Sequence, residues 1–179
     1  GNICKEINPL GEVSEFSYNL TGNLIKTVNP DGSIYEYNYD SKGNLHATLD
    51  PEGRIVKTRY DEEGNMRAII YPDGSETEFT YDEKGNIEEV KDGEGYVTKY
   101  KYDTLNRVSE ITRANGNQIS YEYTNSGKIT TVKFGDNSRK EIIYNERGFV
   151  SRETDEAGNS VNYKYNRAGN LSERIDENG

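Results

Sequence analysis

The sequence predicts an all-β fold, a long and coiled antiparallel meander of β-hairpins built from tandem 21-residue repeats. A tyrosine returns every 21 residues, and a glycine keeps the same interval from Gly11 to Gly179, a distance of 168 residues without an insertion or deletion. No stretch shows the apolar period of a helix, so we expect almost no helix. We expect residues 1–10 to be an incomplete leading repeat. Residues 11–179 are then eight repeats in one continuous domain, a fragment of a larger protein.

The residues of one repeat, 32–53, predict two strands and two turns. Residues 34–39 alternate tyrosine with polar or aliphatic side chains, the period of a strand with one aromatic face. Asp-Ser-Lys-Gly-Asn at 40–44 is a tight turn, which we call the first turn. Residues 45–49 form the second strand, and Asp-Pro-Glu-Gly at 50–53 is the second turn. Each repeat is therefore two strands and two turns.

The repeating tyrosines and turn glycines are predicted to be structural positions. The tyrosines are Tyr18, Tyr39, Tyr60, Tyr81, Tyr102, Tyr123, Tyr144 and Tyr165. The glycines include Gly43, Gly64 and Gly85 of the first turn and Gly53, Gly74 and Gly95 of the second turn. Asn106 and Asn137 stand where one glycine of each series is missing. Because asparagine tolerates the left-handed region best among other residues, these exchanges indicate a backbone requirement.

The register also predicts which side chains share a face. The repeating tyrosine, the residue two before it and the apolar residue six after it should lie together. The next apolar residue of the second strand does not keep its place. It is Leu49 in one repeat, whereas in the next repeat it is Ile69, one place before Ile70, the equivalent of Leu49. Since a one-residue shift reverses the facing, we expect a β-bulge at that far end of the strand.

Composition narrows the classes of function. The apolar fraction is 31%, below the roughly 45–50% of ordinary globular domains, yet 15 tyrosines at a strict period indicate an ordered, shallow structure. The net charge of −10 disfavours nucleic acid or an anionic membrane as a partner. No run is long and apolar enough for a membrane span. The single cysteine, Cys4, excludes an intramolecular disulfide.

The sequence resembles the YD-repeat, or RHS-repeat, family. The resemblance rests on Tyr-Asp-Ser-Lys-Gly-Asn-Leu at 39–45, Tyr-Asp-Glu-Lys-Gly-Asn-Ile at 81–87 and Tyr-Asp-Thr-Leu-Asn-Arg-Val at 102–108, with Asp-Pro-Glu-Gly at 50–53 between. That family includes bacterial RHS polymorphic toxins, insecticidal toxin complex shells and teneurins. Its repeats form a spiralling β-sheet that wraps a hollow shell.

The resemblance implies a shell-wall piece, or an open barrel-like sheet, that encapsulates or presents a C-terminal toxin polypeptide of a secreted or surface protein. The implied partners are adjoining repeats and that C-terminal cargo, and the implied location is secreted or cell-surface, in a bacterium. In four repeats another residue replaces the Asp, and the Arg after the turn glycine is usually Asn, with Arg107 the clearest match. No counterpart of the family's self-cleaving C-terminal core is present in the sequence, so neither cleavage nor toxin activity is carried over.

The sequence offers little for catalysis or cofactor binding, and we expect no enzyme, no cofactor and no metal. His46, the only histidine, lacks an equivalent in other repeats and is expected to be a surface variant. Acidic turns such as Asp-Gly-Glu-Gly at 92–95 are fragments of calcium loops, which need six to eight converging oxygens, and capping is the better explanation.

The alternative function is a cell-surface module that holds a glycan or a protein on its aromatic face. Burial of the tyrosine rings by the rest of the sheet or by a second copy favours the structural function, whereas an open groove lined by these rings favours binding. We also expect self-association through open sheet edges or the apolar face.

Overall fold

The computed structural model describes residues 2–176, and these contain seventeen β-strands and no helix. Successive strands run antiparallel and are joined by tight turns, as the alternating pattern and the turn residues predict. The all-β hairpin meander is thereby confirmed. Within these residues no helix has the length and hydrophobicity that a membrane crossing requires. The chain divides into two compact units, which are described separately.

The first unit contains residues up to 80 together with 90–95. Its strands pair in chain order from β1 to β8. They are β1 (Lys5–Ile7), β2 (Val13–Tyr18), β3 (Leu24–Val28), β4 (Ile34–Tyr39), β5 (Leu45–Leu49), β6 (Ile55–Tyr60), β7 (Met66–Ile70) and β8 (Glu76–Tyr81).

The second unit contains residues 81–89 and residues from 96 onward, so it holds the start of β9. Its strands pair in chain order from β10 to β17. The strands are β9 (Ile87–Lys91), β10 (Val97–Tyr102), β11 (Val108–Thr112), β12 (Gln118–Tyr123), β13 (Ile129–Phe134), β14 (Arg139–Tyr144), β15 (Val150–Thr154), β16 (Ser160–Tyr165) and β17 (Leu171–Ile175).

A β-bulge recurs at the start of the second strand of the hairpins, and the prediction of a bulge at the far end was wrong. In the β4–β5 hairpin Tyr39 pairs with Leu45 and Asn38 pairs with Ala47, which leaves His46 as the extra residue. The same shift stands in the β2–β3, β6–β7, β10–β11, β12–β13, β14–β15 and β16–β17 hairpins. Because the bulge keeps its place, the shifted apolar residue changes face, with Leu49 opposite the tyrosines and Ile69 beside them.

Two surfaces result, the tyrosine face and the opposite face. The opposite face is mostly a ladder of cross-strand ion pairs, for example Lys101 with Glu110 at 2.6 Å and Lys164 with Glu173 at 2.7 Å. Ala68, only 1% exposed, lies there on β7 between β6 and β8, whose Arg59 and Glu76 form an ion pair. Among the described residues only Ala68 and Ser160 are buried, so the fold has little depth.

Candidate functional site

The first turn is closed by its own leading residue. In the 40–44 turn the Asp40 N–H donates to the Asn44 carbonyl (2.9 Å), and the Gly43 N–H donates to the Asp40 carbonyl (3.1 Å). The Asp40 carboxylate accepts from the N–H groups of Lys42 and Asn44, both at 2.9 Å. Its other oxygen accepts from the Asn44 amide (3.0 Å), so both carboxylate oxygens bind groups of the same turn.

Asparagine replaces aspartate in this role where the sequence departs from the repeat. The Asn145 side-chain oxygen accepts from the N–H groups of Arg147 and Phe149, both at 3.0 Å. Asn19 and Asn166 cap their turns through the same oxygen. The turn therefore requires an acceptor at this position and does not require a charge.

The predicted turn glycines within residues 2–176 all have positive φ, whereas Gly179 lies outside the described residues. Gly43, Gly64, Gly85, Gly53, Gly74 and Gly95 have φ between 80° and 92°. Asn106 and Asn137, which fill the two gaps in the series, have φ of 58° and 70°. The observed backbone is the left-handed one that both residue types tolerate.

Hydrogen bonds in the turns lower the pKa of nine aspartates. For Asp40 the largest cause is the Asn44 backbone N–H, and for Asp82 it is the Asn86 side chain. For Asp50 partial desolvation raises the pKa, but bonds from Arg54 outweigh it. The nine are Asp31, Asp40, Asp50, Asp61, Asp73, Asp82, Asp103, Asp136 and Asp155.

The repeating tyrosines link one hairpin to the preceding one. The ladder between β3 and β4 pairs only three residues of each strand, so the Leu24 carbonyl lies beyond it. The Tyr39 hydroxyl donates to that carbonyl at 2.8 Å. The same bond, 2.5–2.9 Å long, joins Tyr18 to Ile3, Tyr60 to Leu45, Tyr102 to Ile87, Tyr123 to Val108 and Tyr144 to Ile129.

The two remaining tyrosines of the series are placed at strand ends as well. Tyr81 ends β8. Tyr165 stacks on Phe149, with ring centroids 4.9 Å apart, and its hydroxyl has no hydrogen-bond partner among residues 2–176. That the tyrosines and glycines hold the repeats together stays a prediction, which the following substitution tests.

Replacing Tyr102 with Phe should destabilise the chain by about 1 kcal/mol, because the Ile87 carbonyl loses its donor while the ring stays in place. Tyr165→Phe is the matched control, since the Tyr165 hydroxyl makes no such bond. Urea denaturation of both variants measures the difference. Equal loss in the two variants would show that the hydroxyl bond does not stabilise the repeat.

At three first turns the residue after the left-handed position covers the tyrosine of the next repeat. The Arg107 guanidinium lies 4.5 Å from the Tyr123 ring centroid and donates to the Thr124 carbonyl at 3.0 Å. It also pairs with the Asp103 carboxylate of its own turn at 2.6 Å. Lys128 lies 4.9 Å from the Tyr144 ring in the same arrangement. Sequence reasoning missed these contacts, although the Arg of the family motif was the available signal.

Arg107→Asn should cost about 1 kcal/mol, because the variant keeps an Asn like Asn44 on the turn aspartate but loses the cation–π contact and the bond to Thr124. The reciprocal change, Asn44→Arg, should stabilise the first unit by a few tenths of a kcal/mol if the new guanidinium reaches Tyr60. Thermal denaturation midpoints of the two variants should therefore move in opposite directions, and a shared direction would contradict the assigned contact.

The structure does not bring the side chains that could support catalysis or metal binding together at one site. His46 is exposed at its bulge, with Nδ1 3.3 Å from the Thr58 carbonyl. No group of three or more His, Cys, Asp or Glu side chains within 2–176 is arranged to hold a metal ion. Cys4 is exposed as a free thiol.

The residues two places before the repeating tyrosines form a second aromatic column on the tyrosine face, and most of its tyrosine hydroxyls make no hydrogen bond within residues 2–176. Tyr37, Tyr100 and Tyr121 are half-buried, and within the described residues their hydroxyls have no hydrogen-bond partner. The face is therefore shared between rings held by backbone bonds and rings whose polar ends remain available.

Two family models match the chain. A teneurin YD-shell model matches residues 75–152, and an RHS repeat model matches residues 39–76 and 144–179. Together the matches run without a gap from residue 39 to the last residue. No curated protein matches the chain.

Solved structures with the same fold include three toxin assemblies. The crystal structure of TcdB2-TccC3-Cdc42 matches with 16% identity and a TM-score of 0.76 over 93% of this chain and 11% of that chain. The Photorhabdus luminescens Tc holotoxin pore with the TccC3-D651A mutation matches at 15% identity with the same coverage and TM-score. The structure of TcdB2-TccC3 without its hypervariable C-terminal region also matches, with the same identity, coverage and TM-score. The similarity therefore lies outside that region. This chain thus spans about a ninth of the matched chains.

Proposed function

Because this chain belongs to the YD-repeat (RHS-repeat) family, we propose that it is a non-catalytic wall segment of a shell that encapsulates or presents a C-terminal toxin polypeptide. Residues 11–179 are eight consecutive repeats of that wall, and the parent protein is secreted or displayed on a bacterial surface. The partners of the segment are the adjoining repeats and the enclosed polypeptide.

The single observation that carries the proposal is that side chains at repeated positions contact the neighbouring repeat. In six repeats the tyrosine hydroxyl bonds a carbonyl of the hairpin before it. Arg107, Lys128 and Phe149 each cover the tyrosine ring of the next repeat. Repeats built in this way stabilise an array through nearest neighbours. Similarity to the toxin assemblies over 93% of the chain supports the same function.

Limited proteolysis of the longer natural protein tests the proposal. We expect the C-terminal polypeptide to resist protease while the repeats are intact. Deleting this segment should make the polypeptide cleavable at the rate found after denaturation. Rapid cleavage in the intact protein would contradict enclosure, and unchanged resistance after the deletion would show that this segment is no part of the wall.

The alternative, a glycan- or protein-binding module, is favoured by the hydroxyls of Tyr37, Tyr100 and Tyr121 on the tyrosine face, which have no hydrogen-bond partner in the described part of the chain. Titration of the chain with a panel of oligosaccharides tests it. Saturable binding that is lost in Tyr100→Ala and Tyr121→Ala, but kept in Tyr163→Ala, whose hydroxyl bonds Glu153 at 3.2 Å, would favour binding over a purely structural function.

A further inference from the structure

Successive first turns of each unit are joined by polar side chains. In the first unit Asn2 donates to the Gly22 carbonyl at 3.2 Å, and Lys42 donates to the Glu62 carbonyl of the following turn at 2.7 Å. In the second unit a side chain of each turn likewise bonds an oxygen of the following turn. The donors there are Asn86, Arg107, Lys128 and Arg147.

The link is missing between the 19–23 turn and the 40–44 turn. The Thr21 hydroxyl, which holds the place of Lys42, donates at 2.7 Å to an oxygen of its own turn. The side chain of Asn23, the residue after the turn glycine, makes no hydrogen bond within residues 2–176. The two turns therefore have no side-chain link in the described part of the chain.

A groove of about 610 Å³ lies at this place. It is lined by residues of both turns and by Tyr39, the repeating tyrosine that precedes the second of them. The carbonyls of Ser41 and Gly43, two residues of its lining, accept no hydrogen bond from the described residues. The groove thus presents two available acceptors beside an aromatic ring.

In the second unit the chain's own cations bind the corresponding carbonyls. The Arg147 guanidinium donates to the Arg167 carbonyl at 3.1 Å, and the Lys128 ammonium donates to the Gly148 carbonyl. Counted along the 21-residue repeat, these two carbonyls hold the places of those of Ser41 and Gly43. The repeat therefore shows which chemical group these acceptors take.

The ring of Tyr39 completes the comparison. Its counterpart Tyr123 has the Arg107 guanidinium 4.5 Å from the ring centroid. No cation of the described residues lies over the Tyr39 ring, because Asn23 holds the place of Arg107. The groove has the ring and the carbonyls of a cation site and lacks the cation.

The charges that line the groove allow a further cation. They are one carboxylate, Asp40, and one ammonium, Lys42, whose Nζ lies on the Glu62 carbonyl of the next turn. A basic neighbour does not prevent such contacts, since Arg147 binds the carbonyl of another arginine, Arg167. The net charge of −10 also attracts cations to the chain as a whole.

We propose that this groove binds an arginine side chain of a partner polypeptide. Its guanidinium lies over the Tyr39 ring and donates to the Ser41 and Gly43 carbonyls. A guanidinium suits the groove better than an ammonium, because it is planar, stacks on a ring and carries five donors in a fixed arrangement. The site belongs to the row of first turns and is present whether or not the chain is a shell wall.

A titration of the isotopically labelled chain followed by NMR tests the proposal. The probe is acetyl-Gly-Arg-Gly-amide, and in the control peptide neutral citrulline replaces the arginine. We expect the probe to give saturable shifts of the Ser41, Lys42 and Gly43 amides in the millimolar range, and the control to bind about tenfold more weakly.

A pair of variants assigns the binding to the groove. Asn23→Arg should weaken binding of the probe at least about tenfold, because the new guanidinium is held beside Tyr39 at a high effective concentration. Asn86→Arg makes the same exchange in the second unit and should leave the shifts of the 40–44 turn unchanged. Binding that survives Asn23→Arg in a variant with unchanged circular dichroism would place the peptide elsewhere and overturn the proposal.

A third variant tests whether the missing cation is what creates the site. Arg107→Asn removes the guanidinium from Tyr123, so the probe should then also shift the amides of the 124–128 turn. Absence of these new shifts would contradict the comparison between the two units.

The remaining outcomes concern the ligand. Equal affinity for the citrulline peptide, or for a peptide with lysine in place of arginine, overturns recognition of a guanidinium. Equal affinity for guanidinium chloride overturns the assignment to a polypeptide. No saturation at tens of millimolar probe removes the site.

Discussion

Acidification should unfold this chain through its turns. The nine turn aspartates have a folded-state pKa lowered from 3.8, so the stability that they contribute is present above that value. It is lost as pH falls through the lower folded-state values. Relief of the net charge of −10 does not offset this loss, because the 22 lysines and arginines leave a large positive charge once the acids are protonated. Urea midpoints measured from pH 7 to pH 2 should fall steeply below about pH 4.

A triple variant separates the turns from the other acids. Asp40→Asn, Asp61→Asn and Asp82→Asn keep the acceptor oxygen, as the natural Asn145 turn does, but remove three titrating groups. Stability at pH 7 should change little, whereas the decline toward acid should become shallower. An unchanged acid decline in the triple variant would locate the pH dependence outside these turns.

Gly85→Val should lower the free energy of unfolding of its hairpin by about 1–3 kcal/mol, because a β-branched residue is strained at the φ of 83° found there. A Cβ built on Gly85 meets no atom within 4 Å, so crowding does not contribute. Hydrogen exchange should show faster exchange at the Asp82 and Gly85 amides, whose bonds close the turn. Amides of the 145–149 turn should keep their protection, because repeats couple mainly to neighbours.

The matched control is Gly85→Asn, since Asn106 occupies the same place in the next repeat with φ of 58°. It should cost less than half as much as the valine. If both variants lose protection evenly along the chain, the repeats do not behave as locally coupled units.

Local rules predicted the hairpins because each turn is decided within five residues. Asp40, Gly43 and Asn44 contain the acceptor, the left-handed residue and the closing group, so the turn can be read without knowledge of the rest. The alternation at 34–39 fixes the facing of β4 in the same local way. The same turn conformation recurs along the described residues, so an error in one turn would not change the fold class.

Contacts between repeats could not be predicted in this way. The Tyr39 hydroxyl reaches a carbonyl fifteen residues earlier only because the β3–β4 ladder stops short of the first turn, which no spacing reveals. The bulge at His46 was misplaced because the irregular apolar column at Leu49 and Ile69 looked like its cause. That column instead records a change of face between Leu49 and Ile69.

Electron cryo-microscopy of the proposed parent protein tests the central claim most directly. The account predicts that these repeats are found as part of a wall, paired at both ends with further repeats and with one face toward an enclosed C-terminal polypeptide. A segment that projects from the particle as a separate domain, with both faces in solvent and no enclosed polypeptide, would contradict it.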